Sequence, residues 1–178
     1  HSDTRRQRQM CIRDSSNSEI LTDIDQEIRY CSSKDHTIIG YAKVGNGPSL
    51  LKAPNFMSSL EHDWRSPIWT HLYRFLAEDH TLVRFDQRGN GSSDLDPLEI
   101  TFNSFVEDME AVVNETKIDK FPILGVSQGC AVSIAYAIRN PNKVSHLILM
   151  SGFARGKGQR GDLSYEEKSK MEQTMISV

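Results

Sequence analysis

The spacing of apolar and polar positions changes period several times along the chain, and each change marks an element. From Glu27 to Ser32 the residues EIRYCS alternate, and His36 to Val44 (HTIIGYAKV) read as a second strand ended by Gly45-Asn46-Gly47-Pro48. The pair predicts a hairpin. Ser49 to Lys52 (SLLK) gives a short third strand, broken by Ala53-Pro54-Asn55. Ser66-Pro67 offers an N-cap and a proline at the first helical position, after which Ile68, Leu72, Phe75 and Leu76 recur at the spacing of an amphipathic helix. Thr81 to Phe85 (TLVRF) is rich in β-formers and runs into the loop Asp86-Gln87-Arg88-Gly89-Asn90-Gly91. Thr101 caps a helix with Phe102, Phe105, Val106, Met109, Val112 and Val113 on one face. Phe121 to Val126 (FPILGV) is a compact apolar strand, Gln128 to Arg139 a helix of small residues, and Val144 to Met150 (VSHLILM) a last strand.

An opening hairpin followed by β-α-β-α-β-α-β requires crossover connections. It predicts an α/β fold class, a mostly parallel sheet with helices on both faces, truncated before its last strands. Residues 1–25 open with HSDTRRQRQMCIRDS, which lacks both apolar periodicity and the apolar run of a secretory signal. They read as a disordered or artefactual tail, resembling translated adapter sequence, with a basic arm for nucleic acid as the rival reading. The core is expected over residues 26–156. Residues 157–178 follow a shift to ARGKGQRGD and read as the truncated start of a lid, with Ser164 capping a helix through Glu166 and Glu167.

Composition narrows the class. The 178 residues hold 21 Lys+Arg against 24 Asp+Glu, a net charge of −3, and without the first fifteen residues, which carry four Arg and two Asp, the balance is −5. Nucleic acid is therefore not an expected partner of this domain. No apolar run approaches the roughly 18 residues of a membrane span, so no membrane association is expected. Cys11, Cys31 and Cys130 are odd in number and far apart, which argues for a reducing, cytoplasmic setting and against both a disulfide framework and a zinc site.

The chemistry is carried by Gly125-Val126-Ser127-Gln128-Gly129, a G-x-S-x-G with an apolar strand running in and a helix running out. Such a turn strains the serine backbone, needs small residues two before and two after it, and lifts the hydroxyl above the strand ends to attack a carbonyl. Ala131, Ser133, Ala135 and Ala137 are expected to keep the helix thin against the sheet. The oxyanion of that reaction needs two backbone N–H donors, one from the residue after the serine and one from the loop after the third strand. These are Gln128 and, because Pro54 has no N–H, Asn55, whose side chain has turn formation as its alternative role. Asp86 and Arg88 are expected to tie their loop to neighbouring backbone, since the loop lacks a phosphate-binding lysine and spacing. Glu61-His62-Asp63 reads as a solvated loop, because adjacent residues on a regular element do not converge on one metal ion. Trp64 and Trp69 either line an acyl pocket or simply pack. No cofactor and no metal are expected.

With the serine turn and the DQRGNGSSD loop in hand, the stretch from Gln26 to about Gly156 resembles the N-terminal part of an α/β-hydrolase. Its wording, including LLKAPNFMSSLEHDWRSPIW and ILGVSQGCAVSIAYAIRNPNKVSHLILMSGFARG, is similar to a bacterial subgroup found alone or joined to adenylate/guanylate cyclase or helix-turn-helix modules. The resemblance implies Ser127 as nucleophile, Gln128 and Asn55 as oxyanion donors, and a small-molecule acyl substrate, with a fused module downstream as the partner it allows. Ala53-Pro54 departs from the His-Gly of most members. Serine at the turn argues against the relatives that open epoxides or displace halide by an aspartate.

In this fold the acid and then the histidine follow the serine, but only 51 residues follow Ser127, and His146, the sole histidine among them, falls inside the last strand, where a structural role is expected. The expectation is an esterase-like or thioesterase-like hydrolase present as an inactive fragment without its acid and base. The alternative is a non-catalytic ligand sensor controlling a fused cyclase or DNA-binding module.

Overall fold

The computed structural model describes residues 26–153 together with Ser164, Glu166 and Glu167. The proposed tail over 1–25, and most of the proposed lid over 157–178, lie outside the described residues. Ser164 does cap as its sequence suggests: its hydroxyl accepts from Glu167 N at 3.3 Å, and its own N–H donates to Glu167 Oε2 at 2.8 Å.

Six strands form one sheet: β1 (Ile28–Ser32), β2 (Ile38–Val44), β3 (Ser49–Lys52), β4 (Thr81–Phe85), β5 (Phe121–Val126) and β6 (Val144–Met150). Their order is β1-β2-β4-β3-β5-β6, so the chain leaves the hairpin, skips a place for β3, and returns to fill it with β4. The hairpin and the β2–β4 pair are antiparallel, and every other pairing is parallel. The fold class is α/β, as the element order implies.

Helices cover both faces. On one face α3 (Phe102–Thr116) and α4 (Gln128–Arg139) enclose a core of Ile39, Leu51, Val83, Phe85, Val106, Met109, Val112, Ile123 and Val132. On the other, α1 (Leu60–Arg65) and α2 (Thr70–Asp79) lie over Leu50, Leu82, Leu124 and Val126. Adjacent residues of one strand therefore serve opposite cores, as the two-residue period of a strand demands. Thr101 caps α3 in a reciprocal capping box with Ser104.

Three expectations need correction. Glu61-His62-Asp63 is not a loop but lies in α1, capped by the Ser59 hydroxyl, which accepts from His62 N; Glu61 and His62 are exposed while Asp63 is buried. Ser66-Pro67 does not start a helix. Ser66 closes α1, and α2 begins at Thr70 behind Trp69 with no side-chain cap. The buried face of α2 is also rotated: Tyr73 and Ala77 point inward with Trp69 beside them, while Ile68 and Phe75 are exposed. Tyr73 wins the inward position because it stacks on Trp69, with centroids 5.7 Å apart, and covers buried cations of the sheet.

At the far edge, β6 is covered less than the other strands. Its residues Leu147 to Met150 are exposed, and so is His146. His146 lies within β6, where its place in the sequence put it.

Candidate active site

Strand β5 ends at Val126 and α4 begins at Gln128, so a single residue, Ser127, makes the turn. Its backbone sits at φ 53°, ψ −116°, a region that a side chain rarely enters. Ser127 N donates to Met150 O of β6 at 2.9 Å, and Cys130 N donates back to Ser127 O at 3.1 Å. These bonds hold the strained conformation from both sides.

The flanking glycines are required by contact. A Cβ on Gly125 would lie 2.8 Å from Ser133 Oγ and 2.9 Å from Cys130 Cα, and one on Gly129 would lie 2.6 Å from Pro54 O. Ser133 is fully buried in this contact and Ala135 packs against the core, while Tyr136, further along the helix, is buried beside Phe121.

The contact of Gly129 with Pro54 places the loop after β3 directly beside the serine turn. Three loops, all leaving carboxyl ends of parallel strands, are then tied together. Gln128 Nε2 donates to Gln87 Oε1 at 3.0 Å, and Gln87 N donates to Ser58 Oγ at 3.2 Å. Ser127 and Gln128 are half-buried, as is Asn55. The side chain of Asn55 is engaged locally, accepting from Lys52 Nζ and donating to Phe56 O at 3.3 Å. Among the described residues none is hydrogen-bonded to the Ser127 hydroxyl. His146 is not within reach of it, because it lies four residues before Met150, about 13 Å back along the strand.

Two charged clusters brace these loops. Arg88 is fully buried and its guanidinium reaches Asp108 at 2.6 and 2.8 Å, Asp35 at 2.6 and 3.2 Å, and Glu99 O at 2.8 Å. Its partners are chiefly carboxylates rather than the backbone expected for it, and the hydrogen bond from Arg88 holds the Asp35 carboxyl well below the usual range. Asp86 does bind backbone: its Oδ2 accepts from Leu60 N at 3.0 Å and Ser92 N at 2.8 Å. Burial nevertheless pushes the Asp86 carboxyl up.

The second cluster was not anticipated. Lys52 of β3 and Arg84 of β4 are direct neighbours in the parallel ladder, both buried on the α1/α2 face. Their acceptors are neutral, Asn55 for Lys52 and Gln26 and Leu60 O for Arg84, and aromatic rings cover both. Lys52 Nζ lies 5.5 Å from the Trp69 ring and 5.7 Å from Tyr73, and the Arg84 guanidinium lies 4.2 Å from Tyr73 and 5.2 Å from Trp64. Both tryptophans therefore pack on cations. Burial, with Arg84 alongside, brings Lys52 down to about 8, and burial pushes Tyr73 up to about 12. The signal available in the sequence was a lysine ending an apolar strand, opposite an arginine in the next one.

Among known families, the profile of the alpha/beta hydrolase fold matches residues 58–173. The chain belongs to the α/β-hydrolase fold family. It is 33% identical over 106 residues to the 1-acylglycerol-3-phosphate O-acyltransferase ABHD5 of Rattus norvegicus, covering 57% of this chain and 29% of that protein. It is 26% identical over 128 residues to the pyrrolizixenacetamide deacetylase of Xenorhabdus hominickii, covering 72% and 46%. Among solved structures, the esterase RhEst1 of Rhodococcus sp. ECU1013 superposes with a TM-score of 0.62 at 27% identity, covering 75% of this chain and 49% of that one. This α/β-hydrolase chain thus spans less than half the length of these relatives.

Proposed function

We propose that the chain carries the nucleophile half of a serine hydrolase acting on a small ester, thioester or related acyl compound. The observation that carries the reading is Ser127 at positive φ between β5 and α4, held by two backbone hydrogen bonds and flanked by glycines that no larger residue replaces without a clash. Support for acyl chemistry also comes from the relatives, whose names describe an acyltransferase, a deacetylase and an esterase.

In this reading the Ser127 hydroxyl gives its proton to a base as Oγ bonds to the acyl carbon, and the carbonyl oxygen becomes an oxyanion. The N–H groups of Gln128, at the first turn of α4, and of Asn55, on the adjoining loop, receive that charge. The leaving alcohol or thiol takes the proton, and water then releases the acid from Ser127. Among the described residues none stands as the base or its acid partner, and those two roles are assigned to no residue of this chain. Cys31 and Cys130, both buried and unpaired, favour a reducing, cytoplasmic location.

The test is hydrolysis of a short acyl ester by the full-length protein. Ser127→Ala abolishes turnover, since loss of the nucleophile costs on the order of 10⁶ in a serine protease. Undiminished turnover removes Ser127 from the chemistry. Saturable ligand binding without any turnover would replace the enzyme by a sensor.

A further inference from the structure

Lys52 is a buried cation that the proposed reaction leaves without a task. It ends β3, three residues before Asn55, and its ammonium donates to the Asn55 side-chain oxygen, closing the loop Lys52-Ala53-Pro54-Asn55 on itself. That loop is the one pressed against Gly129 and the serine turn. A lysine is a poor choice for so buried a position unless its charge is used, because an apolar residue there avoids the desolvation and the neighbouring Arg84.

We infer that Lys52 is a positioning residue for the oxyanion hole, its ammonium anchoring the Asn55 side chain and thereby fixing where the Asn55 backbone N–H is aimed. The inference rests on the reading of Asn55 as a donor, but the anchoring itself does not require turnover. The Trp69 ring, just before α2, and the Tyr73 ring within it lie 5.5 and 5.7 Å from the buried ammonium, which donates its hydrogen bond to the Asn55 amide oxygen.

The charge of Lys52 is also adjustable. Arg84 of β4 disfavours it, while Asp63 of α1 and Asp86 after β4 favour it, and Tyr73 of α2 faces it as a neutral phenol. Burial outweighs the carboxylates and leaves the ammonium titrating at about 8. Below that pH the Asn55 oxygen is held by a charged donor, and above it by a weaker neutral amine. The aim of the Asn55 N–H then changes in the mildly alkaline range, far from the ordinary range of lysine.

Nuclear magnetic resonance of the 178-residue chain, isotopically labelled and titrated from pH 6 to 10, reads this directly. The Asn55 backbone amide is expected to move with a midpoint at about 8, matching the Lys52 side-chain carbon signals. Lys52→Met removes that inflection, and Lys52→Arg keeps the low-pH position of the amide throughout. Asn55→Ala, a change on a half-exposed loop that does not threaten folding, lowers the Lys52 midpoint by about 1 unit, the loss of one hydrogen bond to a charged group. An Asn55 amide that does not titrate, or a Lys52 midpoint unmoved in Asn55→Ala, overturns the inference. Neither result bears on whether Ser127→Ala abolishes turnover, so the two readings fail separately.

Discussion

The two buried charged clusters solve the same problem in opposite ways. Arg88 is surrounded by acceptors: two carboxylates, a carbonyl and the Ser33 hydroxyl satisfy its guanidinium, and Asp108 is buried as completely as Arg88 itself. Lys52 and Arg84 instead lie side by side with the same sign, under three aromatic rings, while Asp86 keeps one oxygen and Tyr73 its hydroxyl without a hydrogen-bond partner among the described residues. The first arrangement fixes a loop rigidly. The second is electrostatically costly, and that cost makes its lysine responsive to pH. A fold that needed only stability at the ends of β3 and β4 is better served by apolar residues there.

The largest effect expected from disturbing this contrast is at Arg88. Arg88→Ala strands Asp108 without a partner and should destabilise the domain by about 3–5 kcal/mol in urea unfolding. A loss under about 1 kcal/mol would show that the two clusters are energetically alike. Lys52→Met should instead change stability at pH 7 by less than about 1 kcal/mol, because the lost bond to Asn55 is offset by relief of desolvation and of repulsion from Arg84.

The pH dependence sharpens the difference. The folded-state value for Lys52, about 8, lies below its unfolded value. Between the two the unfolded chain binds the extra proton, so stability rises as pH climbs from about 8 to about 10. That rise should be absent in Lys52→Met. Asp35 has the opposite behaviour, since its folded value is depressed by Arg88. Its contribution is present above the ordinary aspartate value near 4 and is lost as pH falls below it. Asp35→Asn should cost only about 1 kcal/mol at pH 7, and nothing in acid, because the Asp35 side chain is 30% exposed and water screens the pair.

What could be read from the sequence was governed by how local the constraint is. The serine turn is written in five consecutive residues, which carry its strain, although Gly129 also presses on Pro54 and Ser127 N bonds to Met150 O. The strands and the long helices α3 and α4 announce themselves by period and caps. Helix α1 escaped because six residues are too short to show a period, although Ser59 followed by Glu61 and Asp63 is a capping signal with acidic residues in the first turn. For α2 two apolar stripes overlap: Leu72 and Leu76 of the expected one do pack against the core, while Ile68 and Phe75 face outward. Trp69, Tyr73 and Ala77, at i, i+4 and i+8, form the other, for a reason that lies in another element: the Trp69 and Tyr73 rings cover Lys52 and Arg84. That pairing itself depends on the register between β3 and β4, which a crossover of 28 residues sets and no local pattern reveals.

The near-contact between a Cβ at position 125 and Ser133 Oγ has a consequence for how this chain can vary. The same Cβ would also meet the backbone at Gly129 O and Cys130 Cα, each 2.9 Å away, so shortening the side chain at 133 does not make room for it. In a randomised library sorted for folded protein, position 125 should therefore return glycine whatever residue stands at 133.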